Sequence, residues 1–166
     1  MEILDLYDRN GNPTGKEWDR ADVDSIPHGL FRLVCEVLVK HIDGDFLLMH
    51  RDFSKKWGPG LWEASAGGSA LKGESPIECI QRELFEETGI KSEKFIEMNC
   101  SIREHNLYHS YLTIVDCAKD SIVLQKGETI GYRWVSESEF FKFLESDLII
   151  KTQKERYRCF LQQFQK

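Results

Sequence analysis

The sequence predicts an α+β or α/β sandwich, and three observations carry that prediction. Short runs rich in β-branched and apolar residues recur along the chain, one sharply punctuated helix interrupts them, and two helical segments close the sequence. No internal repeat, low-complexity tract or long linker divides the 166 residues, so residues 1–166 are expected to form a single domain with one sizeable core.

The elements follow in order. EILDLYD (2–8) alternates in part and runs into the turn-rich RNGNPTG, with KEWDR as a return strand, which makes residues 1–28 an N-terminal hairpin extension. After Pro27 and Gly29, LFRLVCEVLVKH (30–41) reads as a central strand. Asp43-Gly44 turns the chain into DFLLMHR (45–51). SKKWGPG (54–60) is a basic loop, and LWEASAGGSALKGES (61–75) a short strand leading into a glycine-rich turn. The helix over 75–89 has Ser75 as N-cap, Pro76 at the first helical position, Glu78 to close a capping box and Gly89 beyond its end. Ile77, Ile80 and Leu84 are expected to form its core face. Strands follow at 94–102, 107–117 and 129–135. A helix over 136–146 is capped by Ser136 and Glu139, and a C-terminal helix over 152–166 by Thr152 and Glu155.

Charge and cysteines exclude several classes of function. With 22 basic against 28 acidic residues the chain shows no footprint for a nucleic-acid polymer. An acidic protein that handles phosphates needs a cation or a local basic cluster. The five cysteines, Cys35, Cys79, Cys100, Cys117 and Cys159, fit neither a disulfide framework nor a zinc ribbon and read as free thiols. MEILDLYDRNG lacks the features of a signal peptide, and no apolar run approaches the roughly 18 residues that span a bilayer. A cytoplasmic location without membrane contact is expected.

The question lies in RELFEETGI (82–90). On a helix, Glu83, Glu86 and Glu87 stand within a turn of one another beside the core face, and like charges so placed repel by a few tenths of a kcal/mol per pair. They are either left in water or given a cation. Upstream, Gly68 and Glu74 complete a longer pattern, GSALKGESPIECIQRELFEETGI. This 68–90 segment resembles the Nudix box of the Nudix hydrolases at every defined position. The flanking LLMHRDFSKKWGPGLWEASAGG and GYRWVSESEF are also similar to that family, so the likeness spans about residues 30–145.

The resemblance implies a Nudix-type α/β/α sandwich with a mixed central sheet and a divalent cation, Mg²⁺ or Mn²⁺. Glu83, Glu86 and Glu87 would hold it, with a backbone carbonyl near Gly67 or Gly68 as a further ligand. Glu74 and Arg82 carry over as the pair that fixes the loop. The chemistry agrees, because Mg²⁺ prefers carboxylate, phosphate and water oxygens. The implied activity is hydrolysis of a small-molecule diphosphate, in particular a nucleoside diphosphate linked to another moiety. For the base that activates water, Glu86 or Glu87 serve within the box, and Glu104 or Glu128 beyond it. Glu128 is preferred, because it precedes a strand expected beside the box helix. Arg51, Lys55 and Lys56 are candidate phosphate contacts. His105 and His109 are spaced like helical zinc ligands but fall on loop and strand, so no metal is assigned to them. Trp62 is expected in the core, whereas Trp57 is available to stack a base.

Two alternatives remain. SKKWGPGLW and WEASAGG are similar to the isopentenyl-diphosphate isomerase branch of the family. That branch places a catalytic cysteine where Gly67 stands and a metal-binding histidine where Phe31 stands, and its box tends to be degraded. The other alternative is a Nudix module that senses a nucleotide without cleaving it. The N-terminal hairpin and exposed strand edges are compatible with a homodimer.

Overall fold

A computed structural model describes residues 1–164. Nine strands form one mixed sheet around β3 (Phe31–His41). On one edge β3 pairs along its whole length with β8 (Asn106–Val115), in the sheet's parallel pairing, from Arg32↔Asn106 to His41↔Val115. Its other edge is shared antiparallel by β1 (Ile3–Tyr7), β6 (Ala66–Ser69) and β4 (Phe46–Arg51). The N-terminal hairpin of β1 and β2 (Pro13–Asp19) is therefore built into the sheet, with Leu4 and Leu6 fully buried. β4 carries β5 (Trp62–Glu63) and β9 (Thr129–Val135), while β7 (Ile96–Arg103) pairs with β8 alone.

Strand alternation divides the core into two layers. Leu33, Cys35, Val37 and Val39 of β3, with Leu47 and Met49 of β4, pack beneath α1 (Pro76–Thr88) against Cys79, Ile80 and Leu84. Leu38, Phe46 and Leu48 face the other way, against Phe140 and Leu144 of α2 (Glu137–Glu145) and Tyr157, Phe160 and Leu161 of α3 (Lys151–Phe164). The result is the expected α/β/α sandwich. Its back layer is locked by a buried ion pair: Glu36 of β3 accepts from Ser110 Oγ at 2.6 Å and from Arg156 Nη2 at 2.7 Å. The Arg156 guanidinium also lies 4.3 Å from the centroid of the Tyr108 ring.

The helix punctuation around α1 and α2 matches the sequence. Ser75 and Ser136 each accept from the N–H three residues on, at 3.3 Å, and Glu78 and Glu139 return the bond. Gly89, at φ 75°, ends α1 in the left-handed region that glycine enters without strain. Three expectations are corrected. Ile77 is exposed, and Cys79 takes its place, because the buried stripe runs 79–80, 83–84 and 87–88. Glu78, four residues before Arg82 and so also placed by the sequence to brace it, is committed to its cap instead. α3 starts at Lys151, so Thr152 is inside the helix. Its entry is set by β5, where Ile150 N–H donates to the Trp62 carbonyl at 3.0 Å. Residues 165–166 of the expected C-terminal helix, and the Cys159 side chain, lie outside what is described.

Candidate active site at the box helix

The turn between β6 and α1 is held by one arginine. Arg82 donates through Nε and Nη2 to the two oxygens of Glu74 at 2.6 and 2.9 Å. It also donates to the Ser69 carbonyl at 3.2 Å, to Glu83 Oε1 at 2.8 Å and, over a longer 3.4 Å, to Glu86 Oε2. Glu74 in turn accepts the Leu71 N–H at 2.8 Å. Burial alone would lift the Glu74 carboxyl, but the Arg82 and Leu71 bonds outweigh it and hold it below its ordinary value. Glu74 and Arg82, expected as a pair, are thus in direct contact at this turn.

Of the three box acids, Glu83 and Glu87 are only 5% exposed, and Glu86 is open to solvent. Helix geometry puts 83 and 87 on the buried stripe one turn apart and rotates 86 outward. Two glycines make room. A side chain on Gly68 would overlap the Glu83 carboxylate, and one on Gly67 would meet the Cys35 carbonyl at 2.7 Å. Gly67 N–H donates to Glu87 Oε2 at 3.0 Å. Burial first, then repulsion from Glu63, Glu83 and Glu128, pushes the Glu87 carboxyl well above its usual range against that bond. Burial also raises Glu83, with Arg82 pulling the other way.

Glu63 is the member that sequence reasoning missed. It closes β5, and burial raises its carboxyl despite Arg51, whose Nη1 donates to it at 2.8 Å. A Trp-Glu pair just ahead of a glycine turn was the available signal, but only β4–β5 pairing brings it to Arg51. Glu128 is drawn in as well, hydrogen-bonded to Lys55 Nζ, while its carbonyl accepts from Asp52 N–H at 2.9 Å. Its route differs from the expected one, since β9 lies against β4 rather than beside α1. Glu104 sits apart at φ 53° in the β7–β8 turn.

The basic candidates separate. Arg51 donates to Glu63 and to the carbonyls of Gly58 and Trp57, the latter two at 3.2 and 2.7 Å, and so braces the 51–63 loop. Lys55 stands at the acid cluster through Glu128, whereas Lys56 pairs with exposed Asp24 at 3.0 Å. Trp62 stacks on His50 at 4.6 Å against the back layer, as expected, and Trp57 is exposed.

Six carboxylates (Glu63, Glu74, Glu83, Glu86, Glu87, Glu128) thus face three cationic side chains (Arg51, Lys55, Arg82). This all-oxygen, anion-rich donor set fits a hard divalent cation better than a soft one. Glu83 and Glu86 turn toward Arg82, and Glu87 toward Gly67. Among the described residues, the trio of possible ligand atoms within 4.8 Å of one another lies elsewhere, at Glu97, Cys100 and His109. A surface cavity of about 720 Å³ on the outer flank of α1, lined by Gln81, Arg82, Phe85 and Lys91 among others, includes none of the buried acids.

Comparison with known proteins agrees with this geometry. The family model described as NUDIX domain matches residues 32–162. An uncharacterised Nudix hydrolase of Listeria monocytogenes is 33% identical over 146 residues, covering 84% of this chain and 82% of its own. An isopentenyl-diphosphate Delta-isomerase of Corynebacterium diphtheriae is 33% identical over 101 residues, 60% of this chain and 54% of the relative. The crystal structure of DR0079 from Deinococcus radiodurans is similar in fold, with TM-score 0.75 and 18% identity over 96% of this chain and 99% of that one.

Proposed function

This chain belongs to the Nudix family as a hydrolase of diphosphate bonds, and on that premise we propose that it is a Mg²⁺- or Mn²⁺-dependent pyrophosphohydrolase. The expected substrate is a nucleoside diphosphate linked to another moiety, or a related small organic diphosphate. One observation carries the reading: Glu83 and Glu87 are buried beside Glu63 and Glu128 with too few cationic partners. Burying like charges without compensation costs several kcal/mol. A divalent cation held among them would relieve that cost without protonating Glu87.

In this reading Glu83, Glu86 and Glu87, with the Gly67 or Gly68 carbonyl, hold the cation, and Glu74–Arg82 holds the turn that presents them. A bound cation supplies neutralisation of the diphosphate charge and polarisation of a water. Glu87, with Oε2 fixed by Gly67 N–H, keeps Oε1 for the proton of the attacking water. Glu86 and Glu128 are the other candidates for that proton. Lys55 offers a point charge to a phosphate at the price of its bond to Glu128. The free thiols of Cys35, Cys79, Cys100 and Cys117 suit a reducing, cytoplasmic setting. Among the described residues, no helix is long and apolar enough to cross a membrane.

The isomerase reading draws on the likeness to the C. diphtheriae relative. It lacks a thiol at Gly67, the nearby Cys35 and Cys79 are fully buried, and Phe31 is core. One panel separates the readings: the protein with Mg²⁺ or Mn²⁺, nucleoside diphosphate derivatives and prenyl diphosphates, followed for phosphate release and double-bond migration. Cation-dependent release of a phosphorylated product is expected. Migration without hydrolysis would establish the isomerase, and binding with neither product the sensor.

A further inference from the structure

Away from the box acids, the edge of the sheet gathers three side chains of a different chemistry. Cys100 of β7 is directly opposite His109 of β8, and Glu97 is opposite Tyr111. Residues facing each other on neighbouring strands have their Cβ atoms about 4.5–5.5 Å apart. That pairing leaves Cys100 Sγ 3.7 Å from His109 Nε2. A β-bulge between Glu97 and Asn99 does the rest. In regular pairing Met98 would stand opposite Tyr111. The extra residue instead turns Met98 to the back layer and brings Glu97 onto the face of His109 and Cys100, with its Oε1 3.3 Å from His109 Nδ1.

We propose that Glu97, Cys100 and His109 form a binding site for a borderline-soft divalent cation of the zinc class, distinct from the box acids. Thiolate, imidazole and carboxylate are the donors such an ion takes. Tetrahedral zinc, with bonds of about 2.3 Å to sulfur and 2.0–2.1 Å to nitrogen, sets its sulfur and nitrogen ligands about 3.5 Å apart, close to the spacing found. All three ligand atoms already lie within 4.8 Å of one another. His109 turns its two ring nitrogens to the two other members: Nε2, the nitrogen beside the sulfur, faces Cys100, while Nδ1, buried and without a hydrogen bond, stands 3.3 Å from Glu97 Oε1. Beside the trio opens a cavity of about 400 Å³, lined by Cys100 and His109 and closed by Arg9, Asn10 and Gly11 of the N-terminal hairpin turn, which leaves room for a water or small ligand in the fourth position.

The site shares a row of the sheet with the box turn, Cys100–His109–Cys35–Gly68 across β7, β8, β3 and β6. Three strand spacings of about 4.8 Å put Cys100 about 14 Å from Gly68. Binding releases the Cys100 thiol proton to solvent as the sulfur–metal bond forms, so occupancy rises with pH.

The test is titration of reduced full-length protein with Co²⁺ alone, followed by the near-ultraviolet charge-transfer band that only a thiolate ligand produces. The band is expected to saturate, to persist in Glu87→Gln, and to vanish in Cys100→Ser and His109→Gln. Glu97→Gln is expected to weaken Co²⁺ affinity by about 10-fold or more. Thermal melts of the metal-free variants should match wild type, which separates lost ligation from lost folding. Absence of the band in wild type, its survival in Cys100→Ser, or its loss in Glu87→Gln would overturn the assignment.

Discussion

Replacing Arg82 by methionine removes the one cation that ties the box turn to its helix. Its side chain is 22% exposed and that of its partner Glu74 18%, so the pair is screened only in part. Arg82 makes four bonds of 3.2 Å or less, to both oxygens of Glu74, to Glu83 and to the Ser69 carbonyl. Breaking a buried pair from one side costs about 3–5 kcal/mol, and partial exposure brings the expectation down to about 3. For a chain of this size each kcal/mol moves the midpoint by roughly 2–4 °C, so the cation-free variant should melt about 6–12 °C below wild type. Urea unfolding of wild type, Arg82→Met, Glu74→Gln and the double variant then gives a coupling energy of about 2 kcal/mol. Arg82→Lys should recover less than half, since an ammonium cannot form the paired bonds of the fork. The sign with pH is fixed by Glu74. Its native carboxyl lies below its ordinary 4.5, so the stabilisation is full above 4.5 and is lost as pH falls through the native value. The gap between wild type and Arg82→Met should therefore narrow in acid. A melt within a degree of wild type, or no coupling to Glu74, would refute this reasoning.

Three further expectations rest on separate contacts. Gly68→Ala drives a methyl into the Glu83 carboxylate; it should weaken Mn²⁺ binding by about 10–100-fold, measured by titration calorimetry, while the fold persists. Glu87 runs opposite to Glu74: its native carboxyl is raised, so its contribution is full below 4.5 and is lost as pH rises through the raised value. Without divalent cation, Glu87→Gln should thus gain stability over wild type progressively above about pH 4.5 in urea titrations, and a flat difference would contradict it. Arg156→Met leaves Glu36 buried without its counter-charge, with only Ser110 Oγ donating to it, and should cost about 3–5 kcal/mol on urea unfolding.

What the sequence disclosed was mostly local. The capping boxes at Ser75 and Ser136 and the Gly89 terminus depend on residues within a turn of each other, so spacing alone revealed them. The same logic failed at Thr152, where backbone docking of Ile150 on Trp62, nearly ninety residues away in sequence, decides where the helix begins. Ile77 failed because a helix's buried stripe is chosen by the sheet beneath it, and here that sheet takes Cys79 and the acids. Glu74, Arg82 and the box acids were legible as a dense pattern. Glu63, the Glu36–Arg156 pair and the true employment of Arg51 were not, because each depends on strands that only the fold brings together. The trio on β7 and β8 needed one bulge that no residue pattern announces.

The central claim is that Glu83, Glu86 and Glu87 endure their crowding by sharing a divalent cation. Calorimetric titration of Mn²⁺ into wild type and into the Glu86→Gln, Glu87→Gln double variant, in a Cys100→Ser background so that only the box can answer, tests it most directly. Saturable binding in the first and its loss in the second, with both proteins folded by circular dichroism, is the predicted result. Equal binding in both, or none in either, would contradict it.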